Sequence, residues 1–410
     1  MRVRRRLACT ALATAWTACL VALGAATPSV AVGPSAPGGA LYTERFRDDF
    51  NTVDTGAWDY RRDGKGNSCQ QTDNVKSRDG YLVIELRKET VVCGNTQTYQ
   101  YTGGGLISKK KFRYGYYETR AKINTGSGWH AAFWSMCGDG SSTTPACRNR
   151  GTEIDGFEID SHAPSTIRHN IADWSKPEAD WLSSGKYDVN VANGTTGWTS
   201  TDWHTYGYLY DETGVTFYID GQTATKPTGG KLTYSAEDRP ADWMSIWLTS
   251  IAIDHGIDDT RLPNEVLFDY VTYSQKDYYI DNDGPTAVNY AESGSGWAQS
   301  ALPGLGKSTS RYSCSPDASA RWNTTNLPPG TYTVWVRSIN DPASDPAAKV
   351  TYTHDGQTYT STLNQRTTPT GWVQIGDDDW TLGAGDQSVK LASSGTGCLR
   401  ADSVKFVRTG

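Results

Sequence analysis

Apolar and polar positions alternate in short runs along this chain, and the runs stop at glycine, aspartate or asparagine. Residues 81–86 (YLVIEL), 114–123 (YGYYETRAKI), 204–210 (HTYGYLY) and 215–220 (VTFYID) are rich in β-branched and aromatic side chains. Such runs read as β-strands. Asp79-Gly80 and Asp220-Gly221 are placed to make tight turns between them. No long segment carries the 3.6-residue apolar period of a helix. The pattern predicts an all-β fold, and many short strands suit a two-sheet sandwich. A second set of strand signals (GTYTVWVRS, AKVTYTH, SVKLAS, DSVKFV) follows the polar stretch KDYYIDNDGPT at 276–286. The remainder after it, roughly 130 residues, again reads as strands and is large enough to fold alone.

The N-terminus changes the picture of where the chain works. MRVRRR is a basic start, Leu7 to Leu23 is apolar, and small residues follow up to Ala31. That is the pattern of a secretory signal, cut after Ala26 or Ala31. The expected organisation is a signal over 1–31, a Pro/Gly-rich spacer over 32–41, a first domain over 42–276 and a second over 278–410. No later run reaches the ~20 apolar residues of a membrane helix. A secreted, extracellular protein follows, with no membrane contact after signal cleavage. A net charge of −6 without a basic block excludes nucleic acid as the main partner. A monomer is expected. Cys69, Cys93, Cys137, Cys147, Cys314 and Cys398 remain after cleavage. An even set in an exported chain suggests disulfides, and proximity suggests 69 with 93, 137 with 147 and 314 with 398. Metal binding is the alternative, but no CxxC or HxxxH spacing supports it.

Composition narrows the partner. The chain has 15 Trp and 23 Tyr against 8 Phe and 3 Met. Trp and Tyr join a flat apolar face to a polar edge, which suits half-wet surfaces and the faces of sugar rings. The plainer reading, aromatics as strand formers, applies as well.

The run EIDGFEID (153–160) carries the candidate chemistry. Alternation puts Glu153 and Asp155 on one face of a strand and would put Phe157, not Glu158, beside them. A one-residue bulge at Gly156 would return Glu158 to that face. Packing like charges in a row costs stability. Glycoside hydrolysis needs such a row: one carboxylate attacks the anomeric carbon and a protonated one gives its proton to the leaving oxygen. The charge of Glu153 and Asp155 is expected to raise the acid at 158 and keep it protonated. An ExDxxE match alone arises by chance in roughly one chain of this size in ten. Its context makes it specific.

That context resembles glycoside hydrolase family 16, the laminarinase, lichenase, agarase and carrageenase group. The matching segments, in order, are FRDDF (46–50) with Trp58, NVKSRDGYLVIEL (74–86) and GGGLISKKKFRYGYYETRAKI (103–123). GSGWHAAFW (126–134), the catalytic run, WHTYGYLYDETGVTFYIDG (203–221) and FDYVTY (268–273) complete the series. The resemblance implies a β-jelly roll of the concanavalin A-like kind, with substrate across its concave face. It implies Glu153 as nucleophile, Glu158 as acid/base and Asp155 between them.

Trp129 and Trp134 match the family's cleft tryptophans. His130 stands where laminarinases usually carry proline, which puts a standard β-1,3-glucan subsite in doubt. His169 and Asn170 match polar residues on the leaving-group side; Trp174, in the same segment, is a candidate for stacking in a further subsite, and Asn67 a candidate for the opposite wall. No cofactor is needed for the chemistry. By resemblance a structural calcium would sit on Asp269 and the carbonyl of Gly80, the alternative being that Asp269 is an ordinary turn or edge acid. From about Tyr278 the chain resembles the golvesin C-terminal domain, which implies a second, small β-sandwich domain, as an appendage that either binds carbohydrate or acts as a spacer.

The reading is thus an endo-acting, retaining hydrolase of a polysaccharide, of β-glucan or β-galactan class. A lectin on the same fold is the first alternative, which the presence of both glutamates disfavours. A transglycosylase using the same covalent intermediate is the second.

Overall fold

The computed structural model describes residues 41–137, 151–174, 180–183, 185–226, 228–234, 240–253, 255–283, 289–324, 327–354, 356–376, 379–382 and 386–410. The proposed signal, 1–31, lies outside them, as does all of the spacer but Leu41. Among the described residues no helix is long and apolar enough to cross a membrane.

Strands form where the alternation predicted them. In Gly330–Ser338, every second residue from Tyr332 is buried, and Gln387–Ala392 repeats the pattern. Both Asp-Gly turns take positive φ at both residues, 54° and 79° at Asp79-Gly80 and 50° and 73° at Asp220-Gly221. That is the backbone of a type I′ hairpin turn, which matches the twist of the strands it joins. The described α-helix is one short piece, Val189–Asn193, capped by Asp188, whose carboxylate accepts from the Val191 amide.

The first domain packs two antiparallel sheets face to face. One holds Thr152–Asp160 between Trp129–Met136 and Thr166–Asp173. It continues outward through Ser245–Ala252, Thr98–Ser108 and Trp58–Tyr60 on one side and Asp180–Ser183 on the other. The other sheet runs Gly214–Ile219, His204–Asp211, Gly115–Lys122 and Asn264–Gln275, edged by Thr43–Asp48 and Tyr81–Val92. Aromatic rings fill the gap between the sheets. Phe157 lies 4.4 Å from Tyr206, and Phe133 lies 5.4 Å from Tyr208, which stacks on Tyr117 at 4.5 Å.

The second domain begins one residue after Lys276–Asp277 closes the first, with Tyr278–Asp281 pairing Ser403–Arg408. Its two main sheets enclose a separate core around Trp322, Tyr352 and Phe406. The two domains are not loosely tethered. Leu305 of the second packs into the core of the first. Arg113, 3% exposed, pairs with Asp281 at 3.2 Å and lies over the Trp243 ring at 4.8 Å. Tyr279 meets Tyr114 edge to face at 4.9 Å. The boundary, polar in sequence, is flanked by a packed seam.

Two disulfides have the expected partners, Cys69–Cys93 and Cys314–Cys398. Cys137 is also bonded, and Cys147, its expected partner, lies outside the described residues.

Candidate active site

Register across the Thr152–Asp160 strand shows which way its acids point. Glu153, Asp155, Glu158 and Asp160 stand opposite Met136, Trp134, Ala132 and His130 of one neighbour. These partners are two residues apart each time, so all four acids share one face. The other neighbour agrees, with Glu153, Asp155 and Glu158 opposite Ala172, Asn170 and Arg168. The slip falls between Asp155 and Phe157, which makes Gly156 the extra residue of a bulge. Glycine is required there for space. A Cβ at 156 would lie 2.7 Å from Tyr208 Cδ1 and 2.8 Å from Phe133 Cδ1.

A bulge leaves a backbone carbonyl without a ladder partner, and a buried carbonyl needs one. His169 supplies it, with its Nδ1 2.7 Å from the Gly156 oxygen. The ring is fully buried and stacks on Phe217 at 4.7 Å. Burial holds its pKa down to about 4, so it is neutral. His169 therefore does not line the open face as expected; it supports the bulge from behind. Trp129 is displaced in the same way. It is 1% exposed in the core, edge-on to Tyr101 at 6.3 Å. Trp129 and Trp134 are five apart on an unbroken strand, so they cannot share a face.

The remaining expected residues lie on or beside the open face. Trp134 stacks on Trp247 at 4.4 Å, with the Arg61 guanidinium over both rings. Asn170 is buried opposite Asp155 and hydrogen-bonds to it. Trp174 is exposed, and its Nε1 donates to Glu153 Oε2 at 3.0 Å. Asn67 is exposed on a hairpin whose backbone is tied to the Ala252 carbonyl at 2.9 Å. His130 bridges two acids, Nε2 to Glu158 Oε1 at 3.2 Å and Nδ1 to Asp160 Oδ1 at 2.6 Å.

Sequence reasoning missed Asp160, Arg168, Lys186, Arg61 and Trp247. Lys186 binds the second oxygen of Asp160, and Arg168 Nη1 lies 3.4 Å from Glu158 Oε2. Alternation past the bulge identifies Asp160, and the same rule applied to Ser245–Ala252 identifies Trp247.

The electrostatics depart from expectation. Burial, with the Glu158 charge behind it, raises Glu153 to about 7. Burial, with the charges of both glutamates behind it, raises Asp155 well above its ordinary value. Burial alone would raise Glu158 too, but His130 and Arg168 outweigh it and leave it below its ordinary value. In the free protein the acid expected to be raised is the one held ionised by its cations.

Two metal sites can be tested. The Asp269 carboxylate accepts from Arg120 Nη1 at 2.7 Å, and that guanidinium lies over Trp203 at 4.6 Å. Calcium needs six to eight oxygen ligands. The one acidic side chain of the expected site already faces a fixed cation, so Asp269 and Gly80 do not fit that ion. Asp160, His162 and His255 each bring a ligand atom within 4.8 Å of the others. His130 and Lys186 already occupy both oxygens of Asp160, which disfavours a further cation.

Comparison with known proteins follows this geometry. The family model described as "Beta-porphyranase A-D, GH16 domain" matches residues 42–265, more than half of the chain. The chain belongs to glycoside hydrolase family 16. It is a glycosidase acting on O-glycosyl bonds, with the family's jelly-roll fold. The model described as "Golvesin C-terminal domain" matches residues 280–408 of the enzyme. Endo-1,3-1,4-beta-glycanase ExoK of Rhizobium meliloti is 26% identical over 241 residues, 56% of this chain and 78% of that one. Glucan endo-1,3-beta-glucosidase A1 of Niallia circulans is 27% identical over 244 residues, 53% of this chain but only 35% of that one. Beta-porphyranase B of Zobellia galactanivorans is 28% identical over 174 residues, 38% of this chain and 56% of that one. The enzyme thus spans about a third and about half of the last two relatives.

Proposed function

We propose that this enzyme is secreted and cuts a polysaccharide internally with retention of anomeric configuration, Glu153 attacking and Glu158 serving as acid and base. The observation that carries the reading is the Gly156 bulge, which sets both glutamates and Asp155 on one face. A structural or lectin role gives no reason to hold three acids together at the cost of their repulsion. Trp134 and Trp174 offer faces for sugar rings on either side. Arg61, Lys65, Arg168 and Lys186 stand around the acids, and the first two act on the charge of Glu153. The porphyranase-type match puts porphyran and carrageenan ahead of laminarin and lichenan.

The test is reducing-end release from those four polysaccharides by the full chain and by Glu153→Gln and Glu158→Gln. Each variant should lose roughly a thousandfold or more, with the thermal midpoint near that of the parent. Azide should partly restore a Glu153→Gly variant and yield the α-azide. The first-formed sugar should be the β-anomer by NMR. Near-parental turnover in either Gln variant overturns the carboxylate roles, and an α-anomer overturns retention.

A further inference from the structure

His130 is fixed at both ring nitrogens. Nδ1 lies 2.6 Å from Asp160 Oδ1, and Asp160 in turn holds Lys186. Nε2 lies 3.2 Å from Glu158 Oε1, whose other oxygen faces Arg168 at 3.4 Å. The groups facing the imidazole are therefore Glu158 and Asp160 directly, with Arg168 and Lys186 behind them. His162 and His255 stand beside Asp160, stacked on each other at 4.3 Å. The neighbouring strand presents uncharged Ile251 opposite His130.

We propose that His130 is a positioning residue that fixes the Glu158 carboxyl and holds the catalytic proton jointly with it. The inference rests on Glu158 being the acid/base. An imidazole between two carboxylates keeps its proton: burial opposes the charge, but the bonds to Asp160 and Glu158 win and raise it to about 9. The same contact holds Glu158 ionised at rest. The pair then carries one proton between pH 7 and 9, resting on the wrong partner for donation.

Chemistry proceeds when that proton passes from Nε2 to the Glu158 carboxylate and on to the leaving oxygen. The glycosidic C–O bond breaks with its electron pair on that oxygen, and Glu153 bonds to the anomeric carbon. Neutral His130 and ionised Glu158 remain. In the second half water bonds to the same carbon and the Glu153 ester bond breaks. The water proton returns through Glu158 to His130, so no proton is gained or lost over the cycle. The macroscopic values belong to the pair and not to either residue.

Two readings of His130 predict opposite signs. If the pair shares the proton, the alkaline limb of kcat/KM reports loss of the pair's last proton, near pH 9. His130→Gln keeps an amide donor near Nε2 but cannot hold that proton, so the limb should fall by about one pH unit or more. If His130 only supplies a positive charge, removing it frees Glu158 to rise, and the limb moves up. An upward shift or an unmoved limb in His130→Gln overturns the proposal. The profile is measured with the full chain on whichever of the four polysaccharides it degrades fastest. Asp160→Asn leaves the ring in place and should shift the limb the same way by less.

A second readout needs no substrate. In the full chain with 15N-labelled histidine, the resonance lost in His130→Gln should titrate near pH 9 and fall in Glu158→Gln. A titration near the ordinary ~6.5 overturns the proposal. Full turnover by Glu158→Gln sinks the acid/base assignment itself. An inactive Glu158→Gln with an unmoved His130→Gln profile sinks only the shared proton.

Discussion

Glu212 offers the sharpest test of the seam between the domains. It sits in the turn after His204–Asp211 of the first domain, and its carboxylate accepts three hydrogen bonds from the second. Tyr279 Oη donates at 2.6 Å, Trp372 Nε1 at 2.8 Å and Lys405 Nζ at 2.9 Å. The side chains of Glu212 and Lys405 are 11% and 15% exposed. Hydrogen bonds to a charged group are worth about 1.5–3 kcal/mol each, and three on one carboxylate do not add. Removing one partner of a buried pair costs about 3–5 kcal/mol. With some solvent reaching both ends, Glu212→Ala should cost about 3 kcal/mol. Urea unfolding followed by tryptophan fluorescence measures it, and a cycle with Lys405→Met isolates the ion pair.

The pH dependence has a definite sign. Burial would raise Glu212, but Lys405, Tyr279 and Trp372 outweigh it and hold its folded pKa below the ordinary value of 4.5. A depressed carboxylate stabilises the fold above its unfolded pKa and loses that contribution as pH falls through the folded one. The gap between parent and variant should therefore be full at pH 7 and close progressively below about pH 4.5. A loss under about 0.5 kcal/mol, or a gap that widens in acid, refutes this account of the seam.

Gly156→Ala should destabilise by about 1–3 kcal/mol through overpacking on Tyr208 and Phe133. Its turnover should fall more than its stability, because the bulge that aims Glu158 must shift; equal parental activity counts against the bulge. Trp129→Ala should cost about 3–5 kcal/mol in denaturant, whereas Trp174→Ala should stay within about 0.5 kcal/mol. Trp174→Phe removes a donor that lowers Glu153, so the acid limb of kcat/KM should move above its position near pH 7. A downward move contradicts the hydrogen bond. A chain ending at Lys276 leaves buried Arg113 without Asp281 and uncovers Tyr114. It should lose thermal stability and activity on soluble and insoluble substrates alike; an unchanged midpoint would restore the picture of independent modules.

The strands and both Asp-Gly turns were legible because each depends on neighbours in sequence. Alternation sets the face of Tyr332, Val334 and Val336, and left-handed φ selects the Asp-Gly pairs. The bulge was legible for the same reason, since three acids at that spacing share a face only if one residue is inserted. The seam was not. Arg113 meets Asp281 and Glu212 meets Lys405 across 168 and 193 residues. Nothing local marks an arginine or a glutamate as one half of such a pair. The lowered pKa of Glu158 was hidden likewise, because it depends on His130 and Arg168 from two other strands.

The two misplaced residues show what local reasoning could still have caught. Trp129 and Trp134 were both assigned to the open face by resemblance, yet an odd spacing on an unbroken strand puts one of them inside. His130, not Trp129, has the parity of Trp134. His169 lies between Arg168 and Asn170, which stand opposite Glu158 and Asp155, so it must face the core. Once it does, the bulge supplies its role, because the displaced Gly156 carbonyl needs a donor from that side. Continued past Glu158, the same parity brings Asp160 onto the face with His130 opposite it. An imidazole placed between two carboxylates is a proton holder by its surroundings, whatever residue relatives carry there. The residue that stands where laminarinases usually carry proline is thus the one most directly coupled to the acid.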